Sequence, residues 1–128
     1  MSAHILIIED NPANMELADY LLRAAGYEPW KAYDGAQGLQ LMSERRPDLV
    51  ICDLQMPVMD GYRVLQHVRE DAALNELAII AVTAQSMPGD KSRALAAGFN
   101  GYLSKPIEPE NFVSQIEAYL IPELRIQR

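Results

Sequence analysis

The sequence predicts an α/β fold, a parallel sheet with helices packed on both faces, and three observations carry that prediction. Short all-apolar runs, "ILII" from Ile5 to Ile8, "DLVIC" ending at Cys52 and "AIIAV" from Ala78 to Val82, have the composition of strands covered on both sides. Between them, apolar residues recur at steps of three and four, the spacing of helices with one buried face. The connections are only a few residues long, which suits right-handed β-α-β crossovers.

Taken in order, the first strand spans Ile5 to Ile8 and ends at the acids Glu9 and Asp10. Asn11 offers a helix cap and Pro12 a first-turn proline, after which Met15, Ala18, Leu22 and Ala25 line one face until Gly26 stops the helix. A second strand runs from Glu28 to Tyr33. It carries Pro29 and alternates Trp30 and Ala32 against Lys31 and Tyr33, the pattern of an edge strand. A helix is expected from Gly35 to about Arg46, ended by Pro47, and then the third strand, with Asp53 at its end. Gly61, Val64, Leu65 and Val68 mark the third helix, Ala78 to Val82 the fourth strand and Asp90 to Gly98 the fourth helix. A short strand near Gly101 to Leu103 and a helix carrying Phe112, Ile116 and Leu120 complete the alternation. With the second strand at the edge and the others covered, the order 2-1-3-4-5 fits, the doubly wound flavodoxin-like (βα)5 arrangement.

Composition bounds the function. At about 100 to 200 residues per domain, 128 residues make one domain, 1–128. The 11 Lys and Arg against 18 Asp and Glu leave a formal charge of −7, which argues against direct binding to nucleic acid or anionic lipid and for proteins or cations as partners. A lone Cys52 allows no internal disulfide, and with only His4 and His67 far from it no familiar zinc spacing exists; a reducing, cytoplasmic setting is expected. The longest apolar runs are far too short for a membrane span or a signal-peptide core.

In an open parallel sheet, ligands bind beyond the carboxyl ends of the strands, beside the point where strand order reverses. The polar residues at those ends are Glu9 and Asp10, then Asp53, Thr83 and Lys105. Carboxylates gathered in one crevice repel one another unless a hard cation or a proton neutralises them, and oxygen-only ligands at an open site favour Mg²⁺. A lysine and a hydroxyl facing that cluster complete a site for a tetrahedral anion. The stretch Met56-Pro57-Val58-Met59-Asp60-Gly61 is too long for Asp53 to cap the next helix, which strengthens a chemical role for Asp53. Cys52, His4 and His67 are assigned no chemistry, Cys52 as a buried small hydrophobe and the histidines as surface residues.

The order of Glu9-Asp10, Asp53 followed by "LQMPVMDG", Thr83-Ala84 and Lys105-Pro106 resembles the receiver domain of two-component response regulators, from about Ile5 to Leu120. The stretches "DNPANMELADYLLRAAGYE" and "TAQSMPGD" to "GYLSKPI" look most like freestanding receivers of the cell-cycle regulator type and receivers of hybrid histidine kinases. The resemblance implies that Asp53 is a phosphoacceptor, attacking a phosphohistidine on a histidine kinase or histidine phosphotransfer protein. It implies that Asp10, Asp53 and the backbone carbonyl of Gln55 bind Mg²⁺, with Mn²⁺ as a substitute, and that Glu9 acts through a metal-bound water. Lys105 and Thr83 would bind the phosphoryl group, Thr83 and Tyr102 would switch together, and the Lys105-Pro106 peptide would be cis. Gln55 and Gln85, two residues beyond Asp53 and Thr83, would flank the water that removes the phosphate. Self-phosphorylation and autodephosphorylation would then be the only chemistry, with output through a downstream protein target or a separate output domain; a homodimer stays open.

Two other classes compete. An aspartyl-phosphate hydrolase of the haloacid dehalogenase type needs a second aspartate two residues on, where Gln55 stands, and the chain has no room for a cap domain. A flavin or nucleotide carrier on the same fold needs a phosphate cradle, but "EDNPAN" after the first strand lacks glycine and carries acids that repel phosphate.

Overall fold

The computed structural model describes residues 3–84 and 87–126. The chain runs β1 (Ile5–Ile8), α1 (Pro12–Ala24), β2 (Trp30–Ala32), α2 (Gly35–Glu44), β3 (Leu49–Asp53), α3 (Gly61–Glu70), β4 (Ile79–Thr83), α4 (Asp90–Ala97), β5 (Gly101–Ser104) and α5 (Phe112–Glu117), followed by a 3-10 turn at Pro122–Leu124. The five strands pair in parallel in the order β2-β1-β3-β4-β5, so chain order reverses between β1 and β3. This is the doubly wound order anticipated from the strand patterns.

Because strand side chains alternate with period two, each apolar run feeds both faces of the sheet. Leu6, Ile8, Val50, Cys52, Ile79 and Ala81 join Met42, Val64, Leu65, Val68 and Ala94 on one side. Ile5, Ile7, Leu49, Ile51, Ile80 and Val82 join Met15, Ala18, Leu22, Phe112 and Ile116 on the other. Among the described residues, no helix is long and apolar enough to cross a membrane.

Element ends differ from the sequence reading where the partner decides the limit. Only Trp30, Lys31 and Ala32 of the second strand find partners, opposite Leu6, Ile7 and Ile8, so β2 is shorter than Glu28 to Tyr33. The strands β3 and β4 each run one residue further than expected, taking in Asp53 and Thr83. Helix α2 ends at Glu44 with Arg45 already extended, two residues ahead of Pro47, whose ring disfavours helical backbone before it. Regular α5 stops at Glu117, yet Leu120 is still buried against the α1 side of the sheet. The Asn11 cap is as read, its side-chain Oδ1 accepting from the Asn14 N–H, and the structure adds that Asp60 supplies the cap of α3 that Asp53 is too distant to give. His4 is half-buried, stacked on Trp30 at 5.0 Å between ring centroids.

One arginine ties three segments at the far end of the molecule. Arg69, near the end of α3, donates from Nη1 to the carbonyls of Asn75 and Leu77 at 3.1 and 2.7 Å. From Nη2 it donates to the Gly98 carbonyl at 2.7 Å and to Asn100 Oδ1 at 2.9 Å. The same Asn100 oxygen accepts the Ile79 N–H at 2.8 Å, so the guanidinium joins the ends of α3 and α4 to the start of β4. Hydrogen bonds to a charged group contribute about 1.5 to 3 kcal/mol each, and water recovers part of that at a half-exposed site. Arg69→Met is therefore expected to lose about 2 kcal/mol, read as a lower urea midpoint at unchanged slope.

Candidate functional site

The carboxyl ends of β1, β3, β4 and β5 meet at one edge and bring the predicted side chains together. Glu9 and Asp10 follow β1 directly, Asp53 closes β3, Thr83 closes β4 and Lys105 follows β5. Glu9, Asp53 and Thr83 are buried, Asp10 half-buried. One oxygen from each of Glu9, Asp10 and Asp53 lies within 4.8 Å of the others, close enough to share one cation. The Lys105-Pro106 peptide is cis, and the Lys105 N–H donates to the Thr83 carbonyl at 2.8 Å.

The Lys105 ammonium lies between two of the acids, 2.7 Å from Glu9 Oε1 and 3.4 Å from Asp53 Oδ2. Asp53 Oδ1 accepts the backbone N–H of Gln55 at 3.1 Å, and Glu9 Oε2 that of Asn11 at 3.1 Å. Burial, helped by the charge of Asp53, raises the Glu9 carboxyl above its ordinary value, against the opposing pull of Lys105 and the Asn11 N–H. Three carboxylates against one ammonium leave two charges uncompensated (3 − 1 = 2), which a divalent oxygen-loving cation matches. The donor set is therefore fit for Mg²⁺.

The other predicted residues stand as follows. Gln55 sits just past Asp53 with its side chain exposed. Tyr102 is half-buried in β5 against the core on the α2–α4 side. Gln85 lies outside the described residues. A cleft of about 210 Å³ lined by Leu54, Gln55, Asp60, Tyr62, Thr83, Asp90 and Arg93 opens beside Thr83. Cys52 is fully buried, and desolvation followed by the charges of Asp53, Glu9 and Asp60 pushes its thiol well above the ordinary range, so it stays protonated and inert.

Sequence reasoning missed the shape of the loop after Asp53. Val58 has φ 68° and is fully exposed, and the Met59 N–H donates to the Pro57 carbonyl at 2.7 Å, closing a three-residue turn around it. A β-branched residue in this region costs about 1 to 3 kcal/mol. The turn returns the chain so that the Gly61 N–H meets the Leu54 carbonyl at 3.0 Å. A Cβ on Gly61 would lie 2.7 Å from the Asp53 carbonyl oxygen and 2.9 Å from the Leu54 Cα. The signal for this was the glycine itself, at the first position of a helix where most residues would serve.

Comparison with known proteins gives a consistent result. A family model described as the response regulator receiver domain matches residues 5–117. The polar-differentiation response regulator DivK of Brucella anthropi is 39% identical over 120 residues, covering 94% of this chain and 98% of that protein. The receiver domain of a sensor histidine kinase from Pseudomonas aeruginosa, solved with a magnesium ion coordinated in its active site cleft, superposes with TM-score 0.83 at 32% identity, over 93% of this chain and 98% of that one. The chemotaxis protein CheY4 of Vibrio cholerae superposes with TM-score 0.87 at 30% identity, over 94% and 100%.

The Gly61 contact yields a test of the scaffold. Helix propensity alone favours Gly61→Ala by up to about 1 kcal/mol, but the added methyl meets backbone that cannot step aside. Overpacking of about 1 to 3 kcal/mol should win, so the variant is expected to unfold at lower denaturant than the unaltered chain.

Proposed function

The chain belongs to the response regulator receiver domain family, and on that premise we propose that it takes a phosphoryl group from a phosphohistidine of a partner protein onto Asp53. The observation that carries the proposal is Asp53 itself, a buried carboxylate at the end of β3 with an ammonium 3.4 Å from Oδ2 and two further acids within reach of one cation. An Asp53 oxygen attacks phosphorus, a P–O bond forms, and the N–P bond breaks with its electron pair returning to the imidazole. Lys105 approaches the phosphoryl oxygens from one side and the Thr83 hydroxyl from another. Held by Asp10, Asp53 and the backbone carbonyl of Gln55, with Glu9 acting through a metal-bound water, Mg²⁺ would spread the charge on the transferring oxygens. Mn²⁺ has the same preference for oxygen ligands and would substitute.

In this reading the protein is a signalling switch and its only chemistry is gain and loss of its own phosphate. Thr83 ends β4 opposite Ser104, and Tyr102 lies two residues earlier on the adjacent strand β5, so a pull on Thr83 would be felt by β5 and α4; the surface they carry would engage a downstream protein. The donor would be a histidine kinase or a histidine phosphotransfer protein. The exposed Gln55 amide would flank the in-line approach of water, able to hold that water by a hydrogen bond but not to take its proton.

Acetyl phosphate with Mg²⁺ should add one phosphoryl group, seen as about 80 Da by intact mass, the extra mass of HPO₃. Chelation of the metal or Asp53→Asn should abolish it, and an Asp53→Asn chain modified to the same extent would refute the assignment. Gln55→Leu should change the lifetime of the phosphorylated form several-fold while leaving its formation by acetyl phosphate less affected. Equal lifetimes would remove Gln55 from control of water access.

A further inference from the structure

The cleft of about 210 Å³ beside Thr83 has two acids in its wall, and both are engaged. Asp60 Oδ1 accepts the Arg63 N–H at the start of α3, at 2.9 Å. Asp90 Oδ2 accepts the Met87 N–H at 2.7 Å, and Asp90 Oδ1 holds Nη2 of Arg93 at 2.8 Å. Arg93 is the one cation in this wall among the described residues, and Asp90 is its one side-chain partner among them. The Arg93 side chain is 70% exposed, so water screens the pair and it adds little to the stability of α4. Its place serves something else. A molecule entering the cleft meets the guanidinium on the way past Gln55 and Thr83, whereas Lys105 is 11% exposed and already faces Glu9 and Asp53.

We propose, on the reading of Asp53 as phosphoacceptor, that Arg93 is a specificity-determining residue that favours phosphodonors with an anionic leaving group, the acyl phosphates, over those whose leaving group is neutral. The chain carries a formal charge of −7, so an anionic donor approaches against repulsion that an exposed cation at the mouth of the site offsets. When an acyl phosphate reacts, an Asp53 oxygen bonds to phosphorus, the bond from phosphorus to the bridging oxygen breaks, and its electron pair leaves with the carboxylate. Negative charge therefore grows on the leaving group. Asp90 takes only Nη2 of Arg93, which leaves Nε and Nη1 to donate to that carboxylate. When the breaking bond is instead P–N and the nitrogen is already protonated, the electron pair neutralises the nitrogen and no anion forms. Arg93 then has no charge to receive, so it separates small acyl phosphates from phosphohistidine by the charge of what departs.

The test compares acetyl phosphate with phosphoramidate, whose leaving group is ammonia, in Mg²⁺ at low salt, for the unaltered chain and for Arg93→Gln, Arg93→Lys and Asp90→Asn. Arg93→Gln should slow modification by acetyl phosphate about fivefold and by phosphoramidate less than about twofold, and the difference should fade at about 0.5 M NaCl. Arg93→Lys should keep most of the preference. Asp90→Asn breaks the same pair from the other side while its amide oxygen can still accept the Met87 N–H, so acetyl phosphate should react as fast as before or faster. A pair that merely shapes α4 would make Arg93→Gln and Asp90→Asn act alike. Equal slowing in those two variants, equal slowing of Arg93→Gln with both donors, or an unchanged rate of Arg93→Gln with acetyl phosphate would each overturn the proposal. Should Asp90→Asn fail to fold, the comparison of donors in Arg93→Gln decides alone. An unaltered chain that takes phosphate from neither donor would overturn the phosphoacceptor reading and the proposal with it, a result distinct from a chain that is modified but indifferent to Arg93.

Discussion

At the carboxyl edge of the sheet one ammonium stands 2.7 Å from Glu9 and 3.4 Å from Asp53, with Asp10 beside them, and the surrounding edge is built around that arrangement. Burying carboxylates is costly unless each is paired or hydrogen-bonded, and here every partner comes from a fixed element. The Asn11 and Gln55 amides each take one oxygen, and Lys105 serves two acids from the end of β5. Removing Lys105 would leave Glu9 and Asp53 facing one another with no counter-charge among the described residues. The site is therefore held under electrostatic tension that a bound divalent cation would relieve.

The reversal of strand order between β1 and β3 makes such a site possible. The helices after these strands leave on opposite faces of the sheet, α1 on one and α3 on the other, and the crevice between them collects the residues just past the strand ends. Neighbouring residues have opposite fates there. Cys52 points into the core and is chemically silent, while Asp53 ends the strand and meets the cluster. The loop beyond Asp53 stores strain at Val58 and needs a glycine at Gly61, so that α3 can begin against the backbone of Asp53 and Leu54.

Most of the fold was legible because its signals are local. Apolar runs covered on both faces, Asn11 as a cap, Gly26 with φ 101° after α1, and Pro29 just before an edge strand each have a cause within a few residues. What escaped was set by partners distant in sequence: how many residues of β2 find β1, and how soon α5 gives way to the turns before Leu120. The same division runs through the site. The order of acids, hydroxyl and lysine along the strand ends was readable, and the structure brings Glu9, Asp10, Asp53, Thr83 and Lys105 to one edge. Which acid holds the lysine was not, because Glu9 and Asp53 lie at equivalent strand ends and differ by a methylene and a fraction of an ångström.

The helices are also unequally tied, which bears on where the fold can yield. Of α4, only Ala94 is buried, and its N-cap is Gly89 with no side-chain cap bond. Its far end is another matter, since the Gly98 carbonyl and Asn100 are bound by Arg69, which also holds the turn before β4. A helix pinned at its C-terminus and lightly held at its N-terminus moves at least cost by pivoting about the pinned end. The light end is the one beside the cleft at Thr83, where Asp90 and Arg93 line the wall. A change in charge at Asp53 that drew Thr83 inward would therefore act on the end of α4 least able to resist it, while Arg69 kept the core on the far side undisturbed.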